Sequence, residues 1–162
     1  MLKKYLLFIS IIILSGTLYS CSDDDNEGSQ NSIEINGKKY PLSGVTFIGT
    51  WQEEFEEGWF TVSIDKVING IVEVCYYDFE FKKSSYPKVG DDFSTLSLTM
   101  EASDDDNDFG RSFDYQSGNA RCVGINNSKS KITIQFDQLK MSNRNGSYVF
   151  NGTVALDFTD DL

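Results

Sequence analysis

The chain has 162 residues, about one domain, with 14 Lys and Arg against 25 Asp and Glu and a formal charge of −11. It contains no histidine, which removes Ser–His and Cys–His catalysis and any histidine-ligated metal. The acidic balance argues against a nucleic-acid partner, because phosphates repel it.

Lys3 and Lys4 precede an almost unbroken apolar run from Tyr5 to Leu14. A membrane-spanning helix needs about 20 apolar residues, so this run is too short to span and fits the apolar region of a signal peptide. It leads to Leu18-Tyr19-Ser20-Cys21, which follows the bacterial lipobox except at Tyr19, where a small residue is usual. On this reading, 1–20 is a lipoprotein signal peptide and Cys21 becomes the lipidated N-terminus. Residues 21–31 form an acidic linker, and 32–162 form the folded domain. Each buried CH₂ of the acyl chains contributes about 0.8 kcal/mol, so several chains hold a protein firmly at a bilayer. From Ser22 to Asn31 the linker reaches at most about 35 Å.

The Cys21-Ser22-Asp23-Asp24-Asp25 start resembles that of surface lipoproteins of Bacteroidota, in which an acidic run beside the lipidated cysteine serves as an export signal. The resemblance implies an outer-membrane lipoprotein facing the cell exterior. Read without it, the same run is a solvated linker extended by like-charge repulsion.

After Asn31 the hydrophobic pattern alternates with period two and shows no sustained helical stripe. Asn36-Gly37 predicts a type I′ hairpin between Ile33-Glu34-Ile35 and Lys38-Lys39-Tyr40. Gly44 to Trp51 follows as a strand with Val45, Phe47 and Trp51 on one face. A two-residue turn at Asn69-Gly70 sets Phe60 opposite Phe79, Val62 opposite Tyr77 and Ile64 opposite Cys75, so both apolar faces coincide. A four-residue loop there would keep the same faces. Thr95 to Glu101 turns Leu96, Leu98 and Met100 inward, and a weaker strand runs from Ala120 to Ile125. In the last pair, a turn at Asn145-Gly146 sets Met141 opposite Phe150. Parity slips between Phe136 and Leu139, which predicts a β-bulge near Asp137-Gln138, with Phe136 then meeting Val154 and Ile132 meeting Phe158.

Eight to ten short strands at this spacing predict an all-β domain, a single antiparallel β-sandwich. A lipocalin-like β-barrel is the alternative, since Gly49-Thr50-Trp51 is similar to the lipocalin Gly-x-Trp element. From Ile35-Asn36-Gly37-Lys38 to Asn151-Gly152-Thr153-Val154 the chain also resembles small Bacteroidota surface lipoproteins, a resemblance that implies no active site.

Trp59, Tyr76, Asp78 and Glu80 fall on the face opposite the core, with Thr61 and Ser63 beside them. Exposed aromatic rings next to carboxylates and hydroxyls suit a sugar, whose apolar face stacks while its hydroxyls find partners. Cross-strand packing for stability uses the same residues. Asp104, Asp106, Asp108 and Asp114 offer oxygen ligands for Ca²⁺, but the glycine and glutamate of an EF-hand loop are missing, and the same run reads as a solvated acidic loop. Glu53, Glu54, Glu56 and Glu57 surround Phe55. A glycosidase needs two carboxylates held about 5 to 9 Å apart in a cleft, which a run of exposed acids does not provide. Cys75 and Cys122 can form a disulfide or remain two buried thiols.

The sequence therefore predicts a non-enzymatic binding role, with glycan the leading ligand class. The alternative is a structural or interaction module of a cell-surface protein assembly. No cofactor is expected apart from Ca²⁺ at the acidic loop. The expected location is the outer membrane, through the N-terminal lipid anchor.

Overall fold

The computed structural model describes residues 32–43, 48–103 and 112–161. The strands are β1 (Ser32–Ile35), β2 (Lys38–Pro41), β3 (Ile48–Gln52), β4 (Glu57–Ile68), β5 (Ile71–Lys82), β6 (Thr99–Ser103), β7 (Ser112–Asn126), β8 (Lys131–Asn143) and β9 (Gly146–Asp161). Short 3₁₀ turns at Phe93–Thr95 and Asn127–Lys129 interrupt the connections.

Local turn chemistry builds the first two hairpins. Asn36 and Gly37 take φ of 53° and 77°, and Asn69 and Gly70 take 51° and 81°, the double left-handed pair of a type I′ turn. The second turn fixes β4 against β5 in the expected register, with Phe60 opposite Phe79, Val62 opposite Tyr77 and Ile64 opposite Cys75.

The β8–β9 pair departs from expectation by two residues. Asn143 pairs with Gly146 across Arg144-Asn145, so Met141 faces Tyr148, Leu139 faces Phe150, Ile134 faces Val154 and Ile132 faces Leu156. The cause is local: the Asn143 side-chain oxygen accepts the backbone N–H groups of Asn145 and Gly146, which places the turn one residue earlier. A shift of two in pairing leaves every side chain on its face, so the apolar set stays inward. The β-bulge is present between Phe136 and Leu139, with Gln138 at φ 49°.

The predicted sandwich is not what forms. Strands β3 to β9 close into a seven-stranded barrel in the ring order β9-β3-β4-β5-β6-β7-β8, sealed by the β8–β9 pair. The barrel alternative fits. Neighbours are antiparallel except β3 and β9, which run parallel, with Gly49 beside Phe158 and Thr50 beside Thr159. A sandwich and a barrel both bury one face of each strand, so alternation alone does not separate them. The difference lies in β9, which is long enough to meet β1 at Asn151 and Phe150 and β3 from Asp157 onward. The β1–β2 hairpin and β3 thus occupy successive stretches of the gap between β9 and β4. A bridge from Leu42 to Ile64 and a bond from the Ser43 N–H to the Ser63 carbonyl tie the hairpin to β4.

The barrel lumen is filled by side chains, as expected for so few strands. Phe60 of β4 stacks on Phe79 of β5 at 4.9 Å, and both rings reach Phe136 of β8 across the lumen. Phe150 of β9 packs on Phe79 and Tyr77, and Tyr148 on Tyr77 and Phe113. Phe93, fully buried in the connection between β5 and β6, enters from one end and packs on Phe81 and Phe60 at 4.7 and 5.6 Å. Asp92 seats this plug. Its Oδ1 accepts the Ser94 N–H at 3.1 Å, the Ser94 hydroxyl at 2.6 Å and the Ala120 N–H at 3.4 Å, while Oδ2 meets Arg121 at 3.3 Å. The expected strand from Thr95 therefore begins only at Thr99, because Phe93–Thr95 is the turn that carries the plug.

Candidate functional site

With the lumen packed by rings, surface depressions on the barrel wall become the places to look for a small-molecule site. One such depression has a volume of about 460 Å³ and is lined by Glu57, Gly58, Trp59, Glu80, Phe81, Lys82, Ser97 and Thr99. That volume lies within the roughly 300 to 1,000 Å³ usual for small-ligand sites.

The site follows from the register of three strands. Trp59 pairs with Glu80, Glu57 with Lys82, and Glu80 in turn with Thr99 of β6. Directly paired residues share a face, so the Trp59 indole, the Glu80 carboxylate and the Thr99 hydroxyl stand side by side on the outer wall. The inner face of the same strands carries Phe60, Phe79 and Met100 in the core. Gly58 forms part of the floor opposite Phe81. A Cβ at Gly58 would meet the Phe81 ring and would lie 2.8 Å from the Thr50 carbonyl oxygen, so only glycine lets ring and strand approach this closely.

Trp59 remains 38% exposed, far more than Trp51, which is buried with its Nε1–H donating to the Lys83 carbonyl at 2.8 Å. Trp51 thus belongs to the barrel end, packed edge-on against Tyr86, and Trp59 is the tryptophan available to solvent. The depression combines one indole face, carboxylates of Glu57 and Glu80, the ammonium of Lys82 and hydroxyls of Ser97 and Thr99. Such a set can stack a flat apolar surface and exchange several hydrogen bonds with hydroxyls.

Of the four residues read from the sequence, Trp59 and Glu80 come together here. Tyr76 and Asp78 lie on the same outer wall but outside the lining. Asp78 accepts the Thr61 hydroxyl at 2.5 Å, and Tyr76 pairs with Ser63 and Ser103 farther along the strands. Lys82, Ser97 and Thr99 were missed. Lys82 was within reach, since the register that sets Phe60 against Phe79 also sets Glu57 against Lys82. Thr99 and Ser97 were not, because β6 finds its place through the long plug connection.

Of the Ca²⁺ candidates, Asp104, Asp106 and Asp108 lie outside the described residues. Asp114 is exposed on β7, paired with Thr99 and Ser142. Among the described residues no group of three or more His, Cys, Asp or Glu side chains is placed to hold a metal ion. Glu53, Glu54 and Glu56 are exposed in the β3–β4 connection with Phe55, which is 59% exposed, and only Glu57 of that run lines the depression. Cys21 lies outside the described residues.

No disulfide joins Cys75 to Cys122. Both are buried, on β5 and β7, so the disulfide alternative gives way to two core thiols. Burial pushes the Cys122 thiol up to about 11, opposed by a backbone hydrogen bond from Gly124 and reinforced by the negative charge of Asp91. A thiol held protonated in this way is a packing group rather than a nucleophile.

No protein-family model, curated protein or solved structure matches the chain.

Proposed function

We propose that this chain is a lipid-anchored protein of the bacterial cell surface, of the Bacteroidota outer-membrane type, that binds glycan without catalysing a reaction. The observation that carries the ligand class is Trp59, held on the outer barrel wall with its indole exposed beside Glu80, Lys82, Ser97 and Thr99 in one depression. The indole would cover the apolar face of a sugar ring, while Glu57 and Glu80 accept, and Lys82 donates, hydrogen bonds at its rim. The anchor reading rests on Cys21 and its lipobox, followed by the acidic run.

The test is binding of the purified protein to a broad glycan array, with calcium and then with EDTA. Selective binding that a Trp59→Ala variant loses supports the reading, and EDTA sensitivity would bring in the Asp104–Asp108 segment. A blank array from folded protein removes the glycan reading for the sugars tested.

A second reading has an observation of its own. Phe55 is 59% exposed at the tip of the acidic β3–β4 connection, the kind of aromatic anchor that a protein partner would cover. As an interaction module of a surface assembly, the protein would lose a co-purifying partner in a Phe55→Ala variant while keeping any sugar binding.

A further inference from the structure

The distal part of the β4–β5 hairpin leaves the barrel. β5 meets β6 only from Tyr76 to Glu80, and β4 meets β3 only from Glu57 to Phe60, with a last tie at Ile64 to Leu42. Beyond these points the pairs Asp65–Val74, Lys66–Glu73, Val67–Val72 and Ile68–Ile71 continue as a two-stranded arm. Its tip is apolar, with Val67 69% exposed, Ile71 63% and Val72 61%. Alternation places Ile68 and Ile71 on one face of the arm and Val67, Val72 and Val74 on the other.

An arm apolar on both faces is poorly suited to a protein partner, which would cover one face and leave the other in water. A lipid interface surrounds it on all sides. Lysines of β2 suit phosphate headgroups: β2, antiparallel to β4 at Leu42–Ile64, brings Lys38 and Lys39 toward the same end, whereas Lys66 on the arm itself faces Glu73. Ser32 pairs with Pro41 next to that contact, so a linker reaching at most about 35 Å permits the arm to touch the bilayer that holds Cys21.

We infer that the Val67–Val72 tip dips into the lipid interface as a second membrane contact beside the anchor. The inference rests on the lipid-anchor part of the reading above and is independent of the ligand. The unpaired strand edges of the arm need water or headgroups as partners, so the tip stops at the interfacial region and does not enter the hydrocarbon. The contact orients the barrel. Trp59 lies ten residues before Asn69 along β4, about 33 Å at 3.3 Å per residue, so a tip held in the membrane turns the Trp59 depression outward.

The experiment uses the full chain reconstituted in phosphatidylethanolamine–phosphatidylglycerol vesicles, with an environment-sensitive fluorophore at Ile71→Cys or, at the far end, at Glu53→Cys. Cys75 and Cys122 are buried and do not compete for the label. Lipids carrying a quencher in the bilayer interface should quench the Ile71 label several-fold and leave the Glu53 label unchanged. Equal, weak quenching at both sites in vesicle-bound protein overturns the inference and leaves the anchor intact. Mass spectrometry of Cys21 reports the anchor separately. If Cys21 is not acylated, its thiol would also take the label, so the same two labels are then compared in a Cys21→Ser background, where selective quenching at Ile71 supports the tip contact and its absence overturns it.

Discussion

Trp59 and Glu80 are direct partners across the β4–β5 pair, and their neighbours Phe60 and Phe79 stack at 4.9 Å on the other side of the same wall. One register therefore sets both the core and the candidate site. The inner pair is locked by packing, and the outer pair inherits its position from it. Truncating the outer indole should then leave the fold intact, at a cost on the order of 1–2 kcal/mol in urea unfolding for the covered part of the ring. The same variant should lose the solvent-accessible part of the tryptophan emission, leaving that of buried Trp51, which acrylamide quenching measures directly.

Gly58 tests the floor of the depression. A methyl group there has to displace the buried Phe81 ring or the Thr50 carbonyl. Gly58→Ala should cost about 1–3 kcal/mol by overpacking, measured as a shift in the urea midpoint, and should weaken any ligand bound over Trp59.

The plug separates two strengths of polar interaction. Phe93→Ala empties a ring-sized space between Phe60 and Phe81 and should cost about 3–5 kcal/mol. Asp92→Ala removes the cap of the 3₁₀ turn and the acceptor of the Ala120 N–H, about 1–3 kcal/mol. Arg121, whose side chain is 57% exposed, contributes less than about 1 kcal/mol through the same carboxylate. Equal losses for Asp92→Ala and Arg121→Ala would contradict this ordering.

What the sequence revealed, and what it hid, follows from how local the determinant was. The Asn69-Gly70 register was legible because a two-residue turn fixes the pairing of everything beyond it. The bulge at Asp137-Gln138 was legible because inward parity must be restored. The β8–β9 turn was misplaced by one residue because the Asn143 side chain competes for the turn N–H groups, which a preference for Asn-Gly does not reveal. Barrel closure was hidden because it depends on β3 meeting β9, strands separated by most of the domain, and the alternation pattern is the same either way. Trp59 and Glu80 were found by the face they occupy. Ser97 and Thr99 were not, because the plug connection decides where they sit.

Cys122 gives a pH prediction. Its thiol pKa rises from 9.0 in the ordinary state to about 11 in the fold. Below the ordinary value both folded and unfolded chains hold the proton, and the stabilisation from burying a neutral thiol is complete. As pH climbs from there through the folded value, the unfolded chain releases the proton first, so stability falls by an amount on the order of 2–3 kcal/mol. The advantage of wild type over Cys122→Ala in urea should therefore narrow between pH 8 and pH 11. Iodoacetamide should leave Cys122 of the native protein unmodified at pH 8.

If the outer-wall depression around Trp59 is a sugar site, its indole is indispensable to binding. The decisive measurement is glycan binding, side by side, for the wild-type protein, Trp59→Ala and Tyr76→Ala. Wild type should bind selectively, Trp59→Ala should lose binding and Tyr76→Ala should keep it, since Tyr76 lies outside the depression. Binding that survives Trp59→Ala, or a glycan array left blank by the folded wild-type protein, would contradict the sugar-site reading.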